Sequence, residues 1–347
     1  MEKKMKFDVV VGNPPYQENS ETSARDDAVY NYFYDLAEKI SKKYCLISPA
    51  RFLFNAGSTN KEWNQKMLSD KHIKVVYFEQ KSVKVFPNTD IKGGVAVLYR
   101  DETKDFGEIG VFTSHPELQS ILHKVVNKEG FESIESIITG RGVYRLTELA
   151  HYEHPEIESL QSKGHKNDVG SGAFKILNNI ILFDDMPKNK HEYVKVLGLE
   201  KMKRVYKFIR KDFINEPFGF KKYKVVLPKA NGSGKIGEVL STPLIVNPLV
   251  GFTETFISIG AFDKELEAQN ALKYIKSKFA RTMLGVLKIT QDNPRDKWQK
   301  VPLQDFTISS DIDWTKSISE IDQQLYKKYG LDQTEIDFIE SKVKAMD

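Results

Sequence analysis

One cysteine, Cys45, is all that the 347 residues contain. A disulfide framework is excluded, and a reducing compartment is the expectation. No apolar run approaches the roughly 20 residues that a bilayer-spanning helix needs, and the segment after the opening MEKKMKFD is too short for the core of a signal peptide. The chain therefore reads as soluble and cytoplasmic, with no membrane partner. Internal repeats and low-complexity segments are missing as well. Hydrophobic residues at 40 %, charged residues at 29 % and aromatics at 11 % describe a folded chain. Its length suits two domains, at about 100 to 200 residues each.

The net charge of +4 is small but unevenly spread. Between Lys195 and Lys235 twelve Lys or Arg face only Glu200, Asp212 and Glu216, an excess of nine positive charges. A second basic stretch, Lys273 to Lys300, sets eight Lys or Arg against Asp292 and Asp296. Charge gathered in one half of a chain points to a polyanion, and solvated helix faces are the plainer alternative.

The first 125 or so residues alternate short apolar runs with helical patterns. KFDVVVG, YCLISP, VVYFEQ and GGVAVLYR read as strands, and Asp27 to Lys42 reads as a helix with Tyr30, Phe33, Tyr34, Ala37 and Ile40 along one face. This predicts an α/β layer with a largely parallel sheet. From about Gly130 the pattern turns β-rich, in RGVYRLTEL, EYVKVLGL, KYKVVLPKA, PLIVNP and TETFISIGAF. One long helix is then expected over Asp263 to Leu287. Two short helices follow, started by capping boxes at Ser317 with Glu320 and at Asp332 with Glu335, with Gly330 as the stop between them.

The first apolar run ends in Gly-Asn-Pro-Pro-Tyr, Gly12 to Tyr16. In a doubly wound sheet ligands collect beyond the carboxyl ends of the strands, so this turn falls where a substrate would sit. Asn13 offers a side-chain carbonyl. Pro15 stiffens the backbone and leaves the Pro14 carbonyl exposed as a second acceptor. Two acceptors held close together suit an NH2 group, and Tyr16 adds a flat face for a planar substrate. Such a site polarises an amino nitrogen by positioning and electrostatics, without a strong base.

At these residues the sequence resembles the amino-group methyltransferases that use S-adenosyl-L-methionine, particularly the N6-adenine DNA methyltransferases of restriction-modification systems. YCLISPARFL resembles that family's next strand, and SVKVFPNTDIKGGVAVLYR resembles the strand pair after it. The resemblance implies that Asn13 and the Pro14 carbonyl hold the amino group of a flipped adenine and that Tyr16 stacks on the base. Phe86 matches a second stacking position, with plain core packing as its alternative. KYKVVLPKANGSG, TETFISIGAFDKELEAQNALKYIKSKFAR and VPLQDF resemble the target-recognition region of the long members.

The implied fold is a partial doubly wound methyltransferase sheet over 1–128, a mixed α+β target-recognition domain over 129–310 and a helical tail over 311–347. The recognition half would bind double-stranded DNA through Lys201, Lys203, Arg204, Lys207, Arg210, Lys211, Lys229 and Lys235.

Long members carry a cofactor half with a glycine-rich turn before Asn-Pro-Pro-Tyr, whereas twelve residues precede Asn13 here. The expectation is that a partner polypeptide supplies that lobe, or a nuclease. A truncated or non-catalytic DNA-recognition subunit is the alternative. Protein-glutamine methyltransferases share the turn, but the long basic region after the sheet speaks against them. DVGSGAF, Asp168 to Phe174, lacks a launching strand and reads as a recognition-domain loop. ANGSGKIG, Ala230 to Gly237, fails as a phosphate loop because Ile236 follows Lys235. His151 and His154 read as a solvated segment rather than a metal site, and Asp70 with Glu79 and Lys81 as a chance triplet rather than a nuclease centre.

Overall fold

The computed structural model describes residues 7–18, 27–55, 58–91, 93–288 and 290–346. Most of the opening MEKKMKFD thus lies outside the described residues. The chain divides into two compact units, 1–119 and 120–347.

In the first unit, β1 (Val10–Gly12) leads through the two-residue strands β2 (Gln17–Glu18) and β3 (Asp27–Ala28) to α1 (Tyr30–Ile40). β4 (Lys43–Pro49), α2 (Lys61–Ser69), β5 (Ile73–Glu79) and β6 (Val95–Asp101) follow. All four expected strands form one sheet in the order β1-β4-β6-β5. β1 lies parallel to β4, and β6 runs antiparallel to both β4 and β5. Three strands thus point one way, each crossover between them carrying a helix, and the reversed β6 sits between two of them. The expectation of a largely parallel sheet needs that correction. The loop from β5 to β6 contains no crossover helix of the length a parallel return requires.

α1 buries Tyr30, Tyr34 and Ala37, spaced by four and three, against the sheet. Tyr34 and Phe52 pack with Trp63 of α2, the Phe52 and Trp63 rings 5.1 Å apart. Lys66 of α2 pairs with Asp35 and Glu38 of α1 at 2.8 and 2.7 Å. Phe33, expected on the buried face, is exposed with Tyr32 and Leu36.

The second unit opens with α3 (Pro116–Val126), which begins in the last residues of the first unit, and the short helices α4 (Glu148–Glu153), α5 (Ile157–Leu160) and α6 (Ala173–Ile176). The strands are β7 (Tyr193–Glu200), β8 (Lys203–Arg210), β9 (Tyr223–Pro228), β10 (Leu244–Val246), β11 (Val250–Phe252) and β12 (Phe256–Phe262). They form two three-stranded sheets, β11-β7-β8 and β10-β9-β12. The β7-β8 hairpin turns through Lys201 and Met202, both at positive φ. RGVYRLTEL, expected as a strand, is mostly irregular. Its backbone groups bond one at a time to separate segments, Leu146 N–H to Asn167 and Thr147 N–H to Phe213, so no ladder builds.

The long helix expected over Asp263 to Leu287 is two, α7 (Glu265–Lys276) and α8 (Lys278–Gly285). Ser277 between them is extended and caps α8 through the Ala280 N–H. Asp322, 44 residues after Lys278, accepts the Lys278 and Phe279 N–H groups at 3.0 and 2.9 Å. Hydrophobic period alone cannot reveal a cap supplied from that far along the chain. α9 (Ile318–Lys328) and α10 (Gln333–Lys342) both start with the expected capping boxes, and Gly330 has the left-handed φ of +62°.

Candidate adenine-binding site

A cavity of about 460 Å³ opens in the first unit where β1, β4 and β5 end. Asn13 and Tyr16 enter it from the turn after β1, Pro49 and Arg51 from the end of β4, and Phe86 with Thr89, Asp90 and Ile91 from the loop after β5. Tyr30 closes one wall from α1. Three strands that point the same way thus deliver their following turns to one place, as expected for an open α/β sheet.

The turn is held from behind. Tyr16 carbonyl accepts the Val29 N–H at 3.2 Å, and β2 pairs with β3 immediately after it. Asn13 and Pro15 are exposed; Pro14, whose carbonyl the sequence places in the open, is buried, and neither proline is among the residues lining the cavity. The Tyr16 hydroxyl is itself buried. Burial pushes its pKa up, and the neighbouring Asn13 side chain offsets part of that rise, although their contact falls short of a hydrogen bond. An orphaned hydroxyl in a cavity wall is costly unless a ligand or water satisfies it. Tyr16 and Phe86 rings lie 6.4 Å apart at 62°. A flat base stacked on one ring would meet the edge of the other.

Phe86 owes its position to Ser82. That buried hydroxyl donates to the Thr89 carbonyl at 3.1 Å and accepts the Ile91 N–H at 2.8 Å, closing the loop from both sides. The Phe86 N–H bonds the Ser82 carbonyl at 2.8 Å, and Thr89 Oγ1 donates to the Phe86 carbonyl at 2.7 Å. Gly94 ends the loop at φ +78°, where a Cβ would stand 2.3 Å from the Glu79 carbonyl oxygen. Ser82→Ala strands the Ile91 N–H and is expected to cost about 1–3 kcal/mol. Denaturant unfolding of the first unit measures it, and an unchanged midpoint would show that the loop is held by other means.

The eight basic residues expected at DNA separate into groups. Lys201, Lys203 and Lys235 are exposed, the first two at the turn and start of the β7-β8 hairpin. Lys229 is half-buried. Arg204 donates to the Ser241 and Thr242 carbonyls at 2.8 and 2.5 Å. Arg210 pairs with Glu153 at 2.5 Å and Asp212 at 2.7 Å, and Lys211 with Glu192 at 2.8 Å. Lys207 must be withdrawn from the set. It is fully buried, with its amine 2.9 Å from Asp184, 3.4 Å from Glu200 and 2.6 Å from Asn178. Alternation along β8 carried that signal, since Val205 and Ile209 flank Lys207 at intervals of two.

His151 and His154 do not form the solvated segment expected: both His151 ring nitrogens are buried without a hydrogen-bond partner among the described residues, and His154 packs on Phe213. In the ANGSGKIG loop, Ser233 and Gly234 N–H groups bond Glu238 at 2.7 and 3.0 Å, so an internal carboxylate fills the place a phosphate would take. DVGSGAF leads into the four-residue α6 without a preceding strand. No group of three or more metal-type side chains occurs among the described residues. Asp70 pairs with Arg100 at one end of β5 and Glu79 with Lys84 at the other, so the acidic triplet is not assembled. No helix among the described residues is long and apolar enough to cross a membrane.

Residues 1–86 match the family described as Eco57I restriction-modification methylase. The match covers 86 of the 347 residues, about a quarter of the chain. The match ends at Phe86 and takes in Asn13 to Tyr16, Arg51 and Ser82. A 95-residue stretch is 33 % identical to an "Uncharacterized adenine-specific methylase" of Mycoplasma pneumoniae, over 26 % of this chain and 22 % of that protein. The resemblance to adenine methylases of restriction-modification systems is thus borne out over the part of the chain that carries the turn.

Among solved structures, the type IIG restriction endonuclease BpuSI overlaps with a TM-score of 0.33 at 11 % identity, over 96 % of this chain and 54 % of that one. The type IIL restriction-modification enzyme MmeI in complex with DNA gives 0.32 at 8 %, over 96 % and 56 %. Overlaps this loose establish neither fold nor activity, for the methylase segment or for the residues after it. The chain spans little more than half the length of these two proteins and matches 22 % of the curated relative.

Proposed function

We propose that the chain is the base-holding and DNA-reading part of an adenine-N6 DNA methyltransferase in a restriction-modification system. The observation that carries this reading is the meeting of Asn13, Tyr16 and Phe86 in one cavity beyond the carboxyl ends of β1 and β5. The Asn13 side-chain carbonyl and the Pro14 carbonyl accept the two N–H groups of the amino nitrogen. This orients its lone pair out of the ring plane and favours attack on an electrophilic carbon. Tyr16 and Phe86 hold the ring of an adenine turned out of the duplex. The second unit supplies phosphate contacts, through Lys201, Lys203 and Lys235 foremost. The cytoplasm, where DNA is, is the site of action.

S-adenosyl-L-methionine, the methyl donor that the methylase family implies, meets no fitting glycine turn between a strand and a helix among the described residues. Within this proposal, the residues that hold it are assigned to a further lobe. β1 offers the place for that lobe. It pairs only with β4, so its other edge is open among the described residues, and Val11 beside it is 72 % exposed. Tyr32, Phe33 and Leu36 of α1 add an apolar outer face. An open strand edge flanked by apolar side chains is a surface that further strands and helices cover. The covering lobe can lie on the same polypeptide or on another.

Production of the chain with such a lobe in a host without adenine methylation, followed by sequencing that detects modified bases, tests the proposal. N6-methyladenine recurring at one DNA sequence is the expected result. Methylated protein glutamine in its place would move the assignment to the alternative substrate. Sequence-specific DNA binding without methylation would leave a recognition subunit.

A further inference from the structure

Arg141 has no part in the reading above, and it lies outside both basic stretches. It stands between two glycines in a loop of the second unit, Thr139-Gly140-Arg141-Gly142. The loop is fixed on either side. The Thr139 N–H bonds the Ser258 carbonyl of β12 at 2.9 Å, and the Ser258 N–H returns a bond to Thr139 Oγ1 at 2.8 Å. Tyr144, three residues after Arg141, is buried against Phe252 of β11, their rings 4.9 Å apart. Gly142 takes φ +68°, a region that glycine enters without strain.

The Arg141 side chain is 64 % exposed, while that of its partner Glu254 is only 9 % exposed. Nε donates to both Glu254 carboxylate oxygens, at 3.2 and 3.3 Å, and the two Nη amines make no hydrogen bond among the described residues. Glu254 is anchored in turn, its own N–H on the Val169 carbonyl at 3.0 Å. A guanidinium held at Nε by a nearly buried carboxylate has lost much of its rotamer freedom before any ligand arrives. Its open end is a planar fork of donors.

Arg141, Lys229, Thr253 and Glu254 line one narrow cleft. Phe256 lines it too, and Arg204 lies over that ring at 5.7 Å, so the start of β8 and the turn with Lys201 and Lys203 stand beside the cleft. Exposed lysines suit phosphates, for which a compact charge is enough. Arg141 differs from them, because Glu254 offsets its charge and leaves its donor geometry. An offset charge pulls weakly on a phosphate, whereas a fork of two N–H donors matches two acceptors side by side on a neutral ring. In the major groove guanine alone offers that pair, as N7 and O6.

We infer that Arg141 is a specificity-determining residue, donating from its two Nη amines to O6 and N7 of a guanine in the major groove of a bound duplex, with Glu254 holding it in place. Such a contact presupposes that the second unit reads DNA, as proposed above, but it requires no methyl transfer, so binding alone tests it.

The full chain selects from a pool of random-sequence duplexes, and the selection is repeated with Arg141→Lys, which keeps the charge beside Glu254 but not the fork. The expected result is a sequence preference that the two share except at one guanine, which the variant no longer requires. Fluorescence anisotropy gives the size of the effect: changing that G·C pair to A·T is expected to weaken the parent about tenfold to a hundredfold and Arg141→Lys less than about twofold. Placing 7-deazaguanine there, which lacks the N7 acceptor, should weaken the parent about tenfold and again leave the variant within about twofold. If Arg141→Ala weakens every duplex alike and lowers the logarithmic salt slope by about one, Arg141 is a phosphate contact and the inference is overturned. A selection by Arg141→Lys identical to that of the parent overturns it as well. A parent that selects no sequence removes the DNA-reading role itself, and the guanine contact with it.

Discussion

Asn13→Ala is expected to lower methyl transfer to adenine about a hundredfold to a thousandfold, with DNA affinity left within about twofold, the loss typical of removing one preorganised polar group from a reacting centre. Asn13 is exposed, lies outside the hydrophobic cluster of the first unit, and precedes a turn that Pro14, Pro15 and the β2-β3 pair hold by themselves. The change therefore removes an acceptor without loosening the turn. The Pro14 carbonyl remains and can take one of the two amino hydrogens, which is why some rate should survive. Single-turnover kinetics on the chain joined by its cofactor-holding lobe separate the rate from binding. A variant that transfers methyl groups at the parent rate would refute the role given to Asn13, and equal losses in rate and DNA affinity would point to a collapsed turn instead.

Glu238→Ala is expected to destabilise the second unit by about 3–5 kcal/mol, the range for removing one partner of a buried ion pair. Lys288 is 2 % exposed, and its amine bonds Glu238 and the Asn231 and Thr290 carbonyls. Burial alone would raise the Glu238 carboxyl pKa, yet Lys288 and the N–H groups of Ser233 and Gly234 together hold it below the usual range. Removing the carboxylate leaves the Lys288 charge without its anion and two loop N–H groups without an acceptor. Thermal unfolding of parent and variant gives the difference. Glu238→Gln keeps the acceptor but not the charge, and should fall between them. A loss under about 1 kcal/mol in Glu238→Ala would mean that solvent reaches the pair and screens it.

The strands and the turn at the first site were legible in the sequence, because both are local. KFDVVVG, YCLISP, VVYFEQ and GGVAVLYR are apolar runs bounded by polar turns, and each became a strand. Asn-Pro-Pro-Tyr carries its stiffness in its own residues. What the sequence hid was made elsewhere in the chain. The reversal of β6 comes from a loop without a helix, and the break at Ser277 from a carboxylate on α9. Ser82 carries no signal in the sequence, because its two partners, at Thr89 and Ile91, are backbone groups that no spacing rule marks. The apolar pattern of α1, which includes Phe33, is wider than the face that the helix buries through Tyr30, Tyr34 and Ala37. Lys207 has charged neighbours in sequence, but its alternation with Val205 and Ile209 speaks for the interior, where it is buried.

The open flank of β1 also bears on supply. If, as proposed, a further lobe covers β1, a copy made without that lobe would show the backbone groups and apolar side chains left open among the described residues to other chains, and such copies are what holdases retain and proteases clear. If the lobe is a separate product, the quantity of working complex tracks whichever of the two is scarcer, and any excess of this chain is wasted. If both lie on one polypeptide they are made one for one, and that source of imbalance vanishes.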